Sequence, residues 1–273
     1  MTAILEVSSE WLSLREPEDA AARSRDLALA AAEMLQQKPL NIHDLGSGTG
    51  SMMRWLAPLL PGQQTWTLHD WNSDLIEQAA GGIRPLDRDN DPISVCIQPG
   101  DLADLRPTDL HEASLVTASA LLDVLTVDEI QAIVDACLSA RCPTLLTLSV
   151  TGDVQLSPAD ERDAAFQRAF NAHQVREAAT RRQVGRHGAA IAKRLFADAG
   201  WHVRSSTTTW RLDHDRPRLL AEWFEGWVDA SLECDAELRA EAAGYRRRRA
   251  AEIERGELTA RIRHLDLLAW PRG

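Results

Sequence analysis

Asp44-Leu45-Gly46-Ser47-Gly48-Thr49-Gly50 closes the apolar run Leu40 to Leu45 and stands just before the helix-length stretch Met52 to Leu60. Three glycines therefore fall at a strand-to-helix turn. Glycine there permits backbone angles that other residues avoid and lets a ligand approach the main chain without meeting a Cβ. The pattern predicts a cofactor site at the carboxyl end of a first strand. A dinucleotide-binding loop would carry its third glycine at position 51, where it also brings helix and strand close together. Ser51 stands there instead, and Gly50 precedes it.

Outward from this loop, short apolar runs alternate with helix-length segments. Leu40 to Leu45, Thr65 to His69, Ile93 to Gln98, Ser114 to Ser119 and Thr144 to Val150 read as five buried parallel strands. Met52 to Leu60, Ser73 to Ala80 and Val127 to Ser139 read as the helices between them, so the expected fold is a doubly wound, Rossmann-like α/β sheet. Residues 1–39 form an N-terminal helical segment, with one structural helix expected from Pro17 to Leu35, and residues 40–150 form the cofactor-binding core. After Val150 the alternation breaks. Residues 151–186 read as an insertion after strand five, with a helix over Pro158 to Ala172 and an arginine-rich stretch, before a helix from Gly188 to Asp198. Trp201 to Trp210 and Ile262 to Trp270 supply a sixth and a seventh strand. Residues 211–261 between them fit a helix pair whose first member carries Leu219, Leu220, Trp223, Phe224, Trp227, Val228 and Leu232 on one face. The run Arg246 to Arg249 reads as a solvated helix face. The whole chain is expected to be one elaborated domain.

The G-x-G-x-G pattern, with Asp44 two residues before Gly46, resembles motif I of the class I S-adenosylmethionine-dependent methyltransferases. Further elements extend the resemblance. Twenty residues beyond Gly50, His69-Asp70-Trp71-Asn72-Ser73 ends the second strand, followed by Leu75 and Ala79; the third strand ends in Gly100-Asp101-Leu102, and the fourth in Thr117-Ala118-Ser119-Ala120-Leu121-Leu122-Asp123. The likeness implies a seven-stranded sheet in the order 3-2-1-4-5-7-6 with strand seven antiparallel, and S-adenosyl-L-methionine as cofactor, leaving as S-adenosyl-L-homocysteine. It implies cofactor contacts at Asp44, Gly46, Ser47, Gly48, Gly50, Asp70, Trp71, Asp101, Leu102 and Ser119. Asp70 would accept hydrogen bonds from the ribose hydroxyls, or else cap the helix beginning near Ser73. Trp71 would pack against the adenine or belong to the core. Asp101 would accept from the adenine amino group. Ser119 would lie beside the sulfonium and the acceptor.

The fourth strand lacks the N-P-P-Y or D-P-P-Y sequence of many amino-group methyltransferases acting on nucleic acid or protein, in keeping with the charge: 30 basic residues against 41 acidic ones, a net −11, disfavour a phosphate backbone as partner. No window reaches the roughly 18 apolar residues of a membrane span, and no cationic N-terminal stretch leads into an apolar run, so a cytoplasmic location without membrane contact is expected. Cys96, Cys137, Cys142 and Cys234 form no C-x-x-C pair, so no metal site or disulfide is expected and the thiols read as reduced and mostly buried. The acceptor is then a small molecule. His173 and Asn171, in Phe170-Asn171-Ala172-His173-Gln174, and Asp123 are the candidate catalytic groups, and Arg176, Arg181, Arg182 and Arg186 could neutralise an acidic acceptor. The helical segment 211–261 would serve as a cap over the acceptor or as a homodimer surface. Two rival readings are a catalytically silent methyltransferase-like scaffold and a nicotinamide-dependent oxidoreductase, which the glycine spacing disfavours.

Overall fold

The computed structural model describes residues 7–35, 39–178 and 181–272, apart from the side chains of residues 177, 178 and 181. Seven strands form one sheet: β1 (Leu40–Leu45), β2 (Gln64–Asp70), β3 (Ser94–Pro99), β4 (Leu115–Ser119), β5 (Thr144–Ser157), β6 (His202–Leu212) and β7 (Thr259–Trp270). Their order is β3-β2-β1-β4-β5-β7-β6, parallel except for β7, which runs antiparallel to both neighbours. Both the order and the lone antiparallel strand agree with the expected doubly wound sheet. Strand order reverses between β1 and β4, where Asp44 lies opposite Thr117 and Leu45 opposite Ala118. In such sheets the ligand crevice opens beyond the carboxyl ends of the strands at this switch point.

Four of the five leading strands are buried, as their apolar runs require, but β3 is largely exposed because it closes one edge of the sheet. The helix expected from Pro17 to Leu35 is two helices. Helix α1 (Ser9–Ala22) has Pro17 in its interior, and α2 (Arg25–Met34) starts afresh. Ser24 causes the break: its Oγ accepts from the Leu27 amide at 3.4 Å, while its own amide donates to buried Asp266 on β7 at 2.8 Å. An N-cap of this kind satisfies a helix start and leaves the preceding helix to end.

Helices α3 (Ser51–Leu56), α4 (Ser73–Gly81) and α5 (Val127–Ala140) follow β1, β2 and β4. Strand β5 runs on through two irregularities to Ser157, so α6 (Asp163–Gln174) begins later than Pro158. Helix α7 (Gly188–Asp198) precedes β6, and the pair α8 (Pro217–Cys234) and α9 (Arg239–Glu254) fills the connection to β7. The apolar face of α8 is covered by the chain itself: Leu219, Leu220, Phe224, Trp227 and Val228 are buried in one cluster with Phe166, Trp210 and Tyr245. Phe166 stacks on Tyr245 with ring centroids 4.6 Å apart, and its carbonyl accepts from Ser231 Oγ at 3.0 Å, tying α6 to α8. Emptying such a site by Phe166→Ala costs about 3–5 kcal/mol.

The run Arg246 to Arg249 is not a solvated face throughout. Arg249 is fully buried, donating to Asp163 Oδ1 at 2.5 Å, Glu252 Oε2 at 2.7 Å and the Pro158 carbonyl at 2.7 Å. A buried guanidinium is tolerated only where acceptors of this kind meet it, here at both terminal nitrogens. Cys137 and Cys142 are buried, Cys96 and Cys234 exposed, and none is in a disulfide. No helix among the described residues is long and apolar enough to cross a membrane.

Candidate active site

The glycine loop owes its shape to left-handed backbone at Gly46, Gly48 and Gly50, with φ of +62°, +51° and +81°. At Gly46 a Cβ would also stand 2.8 Å from Leu121 Cδ1, so the turn after β4 lies directly against it. The loop is fastened to the end of β2. The Ser47 amide donates to the His69 carbonyl at 3.0 Å, and the Gly48 amide donates to Asp70 Oδ2 at 2.8 Å. The other oxygen of Asp70 accepts from the Asn72 amide at 2.9 Å. Asp70 therefore joins two turns and does not cap α4; Asn72 does that, its Oδ1 accepting from the Asp74 and Leu75 amides. Burial raises the Asp70 pKa, against the opposing pull of the backbone amides of Asn72, Gly48 and Trp71.

Asp44 is buried at the end of β1. Its Oδ1 accepts from Thr117 Oγ1 at 2.7 Å, whereas Oδ2 has no protein partner, and neither has the buried Ser47 Oγ. Burial pushes the Asp44 carboxyl up to about 7. Behind the loop lies Arg23, at the end of α1, with its side chain fully buried. It donates to Ser51 Oγ at 2.9 Å and to Ser119 Oγ at 3.0 Å, and its Nη1 is unpartnered. Ser51, in the position a dinucleotide loop gives to glycine, thus meets a cation that β4 also contacts through Ser119.

Asp44, Gly46, Ser47, Gly48, Ser51, Asp70 and Ser119 line a cavity of about 360 Å³, together with Trp71, Leu75, Asp101 and Leu102, while Arg23 stands behind its wall. Asp101 Oδ1 accepts from the Ala103 amide at 2.9 Å, and Trp71 is 44 % exposed at the rim. Gly50 faces away from the cavity, toward Ala79 of α4. Asp123, just after β4, lines the cavity too; its Oδ1 is buried without a partner, and burial pushes its carboxyl up to about 6.

The structure places His173 and Asn171 elsewhere. His173 Nε2 lies 3.1 Å from Glu233 Oε2, which also pairs with Arg176 at 2.9 Å, and Asn171 Nδ2 donates to the Gly152 carbonyl at 2.9 Å. Neither lines the cavity; Phe170 and Gln174 do. Residues four apart share one helical face, so when 170 and 174 turn inward, 171 and 173 are carried to the flanks. Arg176, Arg182 and Arg186 do not line it either, and the Arg181 side chain lies outside the described residues.

Sequence offered the segment 211–261, which carries Trp223, as a cap over the acceptor, but not the rest of the wall on the β5–β7–β6 side. Trp11, Leu12, Arg15 and Asp19 of α1, Trp210 of β6, Trp223 of α8, and Ile262 and His264 of β7 all face the cavity. Arg15 grips Asp19 through Nε and Nη2 at 3.0 and 3.1 Å and lies over the Trp210 ring, 4.9 Å from its centroid. Trp210 Nε1 donates to Asp19 Oδ1 at 3.1 Å. A usable signal was the four-residue spacing of Trp11, Arg15 and Asp19 on one helical face. Backbone strain collects at the same crevice: Ala120 and Leu148, at the ends of β4 and within β5, hold left-handed φ of 52° and 56°. The Leu148 amide is held by Asp266 Oδ1 at 2.7 Å. Non-glycine residues keep such angles only where surrounding bonds over-determine them, commonly at ligand sites.

No protein-family model and no curated protein matches the chain. Solved structures resemble it loosely. A mycolic acid cyclopropane synthase complexed with SAH and CTAB is 13 % identical, with a TM-score of 0.49 and 96 % of this chain and 94 % of that one covered. The cyclopropane synthase MmaA2 from Mycobacterium tuberculosis is 12 % identical, with a TM-score of 0.48 over 96 % and 94 %. A SAM-dependent methyltransferase from Geobacter sulfurreducens, complexed with S-adenosyl-L-homocysteine, is 15 % identical, with a TM-score of 0.45 over 98 % and 100 %. Likenesses this distant assign the chain no activity; its own side chains must do so.

Proposed function

We propose that this chain is an S-adenosylmethionine-dependent methyltransferase acting on a small-molecule acceptor by direct in-line transfer. The observation that carries the reading is one cavity that joins the Asp70-fastened glycine loop to an aromatic wall. The loop side fits a polar, nucleoside-bearing cofactor: Asp44 Oδ2 and Ser47 Oγ are buried there without protein partners. Such unpaired buried groups are costly unless a ligand meets them.

In this reading Asp70 holds the loop through two backbone amides and offers its remaining lone pairs to the ribose hydroxyls. Asp101 faces the adenine amino group, with Leu102 and Trp71 flanking the ring. Arg23 orients Ser119 at the carboxyl end of β4. The bound cofactor supplies a methyl group already activated as a sulfonium. The chain has to position the acceptor and exclude water, which the aromatic wall suits. Where the acceptor loses a proton as its new bond to carbon forms, the Asp123 carboxylate takes it, because Asp123 lines the cavity, its buried Oδ1 has no protein partner, and its raised pKa makes it a better base than a free carboxylate. Its placement favours Asp123 over His173 and Asn171 for this task.

Calorimetry tests the cofactor: S-adenosylmethionine and S-adenosylhomocysteine should bind, and nicotinamide dinucleotides at similar concentrations should not. Binding of the nicotinamide cofactor alone would overturn the reading. Screening acceptors for S-adenosylhomocysteine release tests the activity, and cofactor binding without release from any acceptor class would favour a scaffold.

A further inference from the structure

His264 is 3 % exposed, lines the cavity, and has no hydrogen-bond partner for its Nδ1. It stands on the antiparallel strand β7, opposite Thr208 of β6 and Val150 of β5. Its ring is tilted against Trp210 at 5.6 Å, and Trp210 in turn lies beneath Arg15. Burial, and then the nearby Arg15 charge, push the imidazole down to about 3, so it is neutral at physiological pH. A buried neutral imidazole has one donor and one acceptor nitrogen, and leaving either unmade costs stability. A ligand group that hydrogen-bonds the imidazole from the cavity offsets that cost.

The walls around this histidine are rings. Trp11, Phe170, Trp210 and Trp223 come from four different elements to the same cavity. A second hollow of about 260 Å³ shares Trp11, Phe170 and Trp223 and continues to Trp227, which stacks on Trp223 with centroids 5.7 Å apart. The aromatic surface of the two hollows together is therefore more than one ring covers. Among the described residues Arg15 is the single Lys or Arg side chain on the main cavity's wall, and Asp19 already engages two of its nitrogens. An anionic acceptor would find no free positive partner on that wall and would meet the carboxylates of Asp19 and Asp123 there.

We propose that the acceptor is a planar aromatic molecule of two or more rings, without negative charge and bearing a hydroxyl group, with its rings among Trp11, Phe170, Trp210 and Trp223 and its hydroxyl hydrogen-bonded to His264. This rests on the methyltransferase reading for the word acceptor, but the aromatic site stands on its own residues. Flat rings gain from stacking and edge contacts with indoles beyond the area they bury, and the hydroxyl satisfies the imidazole.

The test uses the full chain with S-adenosylhomocysteine present and three probes: 2-naphthol, naphthalene and fully saturated decahydro-2-naphthol, followed by tryptophan fluorescence and calorimetry. The expected order is 2-naphthol tightest, with naphthalene weaker by about threefold to tenfold, as one neutral hydrogen bond provides, and the saturated alcohol weakest. In His264→Phe the advantage of 2-naphthol over naphthalene should vanish while naphthalene still binds. Trp223→Leu, on the rim and away from the β7 core, should weaken both arenes at least threefold without changing S-adenosylhomocysteine affinity. The proposal is overturned if the saturated alcohol matches 2-naphthol, if the hydroxyl advantage survives His264→Phe, or if Trp223→Leu leaves both arenes unaffected. Failure of S-adenosylhomocysteine to bind while 2-naphthol binds would remove the methyltransferase reading and leave the aromatic site intact; the reverse result would remove only the aromatic site.

Discussion

The wall of the cavity built from β1, β2 and β4 comes from consecutive strand ends and the turns that follow them, whereas the facing wall gathers Trp11 from α1, Phe170 from α6, Trp210 from β6, Trp223 from α8 and His264 from β7. The first wall works through its backbone: left-handed glycines, amides fixed by Asp70, and a buried carboxylate at Asp44. The second works through side chains brought from both ends of the chain. A site made of turns is constrained by local covalent geometry, and one made of packed rings is constrained by the sheet order that places the rings together. The two walls should therefore respond differently to substitution.

The largest separation is expected from Gly48→Val. A branched residue is strained at φ +51°, and its Cβ would stand 3.1 Å from Leu12 Cδ1. The variant should keep its far-UV circular dichroism and lose measurable S-adenosylhomocysteine binding; retained affinity would mean that the backbone wall is not the cofactor wall. Next comes Asp123→Asn, which should lower turnover of a proton-losing acceptor by about 10²- to 10⁴-fold at unchanged S-adenosylhomocysteine affinity, while His173→Ala changes turnover little. Since the Asp123 carboxyl is pushed up to about 6 and acts in its ionised form, the parent's rate should fall as pH drops through that value and be full above it. A rate insensitive to pH from 5 to 8, or an unimpaired Asn variant, would take the base role from Asp123.

Asp70→Ala removes both the loop's fastening and the ribose acceptor, and should weaken S-adenosylhomocysteine by roughly 1.5–3 kcal/mol, or about ten- to hundredfold. Parent-like affinity would assign Asp70 to loop architecture alone. The smallest effect concerns stability. The folded-state pKa of Asp44 is raised from 3.8 to about 7, so its contribution to stability is greatest below about 4 and is lost as pH rises toward 7, where a buried carboxylate must ionise. Relative to the parent, Asp44→Asn should therefore gain thermal stability between pH 4.5 and pH 7.5, by a few degrees or more in melting temperature. An equal difference at both pH values would show that Asp44 does not titrate in this window.

Much of the backbone wall was legible before folding. A glycine run between an apolar strand and a helix can serve few purposes, and the carboxylates at 44, 70 and 101 are placed by counting to strand ends. Where sequence reasoning went astray, the information was three-dimensional. His173 and Asn171 share a polar segment with Phe170 and Gln174, but which side of α6 faces the cavity depends on its packing against α8. Arg249 sits in a run of four arginines, and only the approach of Asp163, Glu252 and the Pro158 carbonyl takes it inside. Asp266 shows the same dependence, since it ends one helix and starts another by accepting the Ser24 amide from 242 positions away.

By itself, then, the sequence determined the alternation of strands and helices, the left-handed turn after β1, and the acidic strand ends, because each follows from hydrophobic period or backbone stereochemistry within a few residues. The tertiary structure alone decided that α1 and α8 bring tryptophans, and α6 a phenylalanine, to a crevice beside β6 and β7, and that His264 is buried there with its Nδ1 unpartnered. Those contacts join residues hundreds of positions apart. Nothing local distinguishes an inward tryptophan or histidine from an outward one until the sheet sets which faces meet.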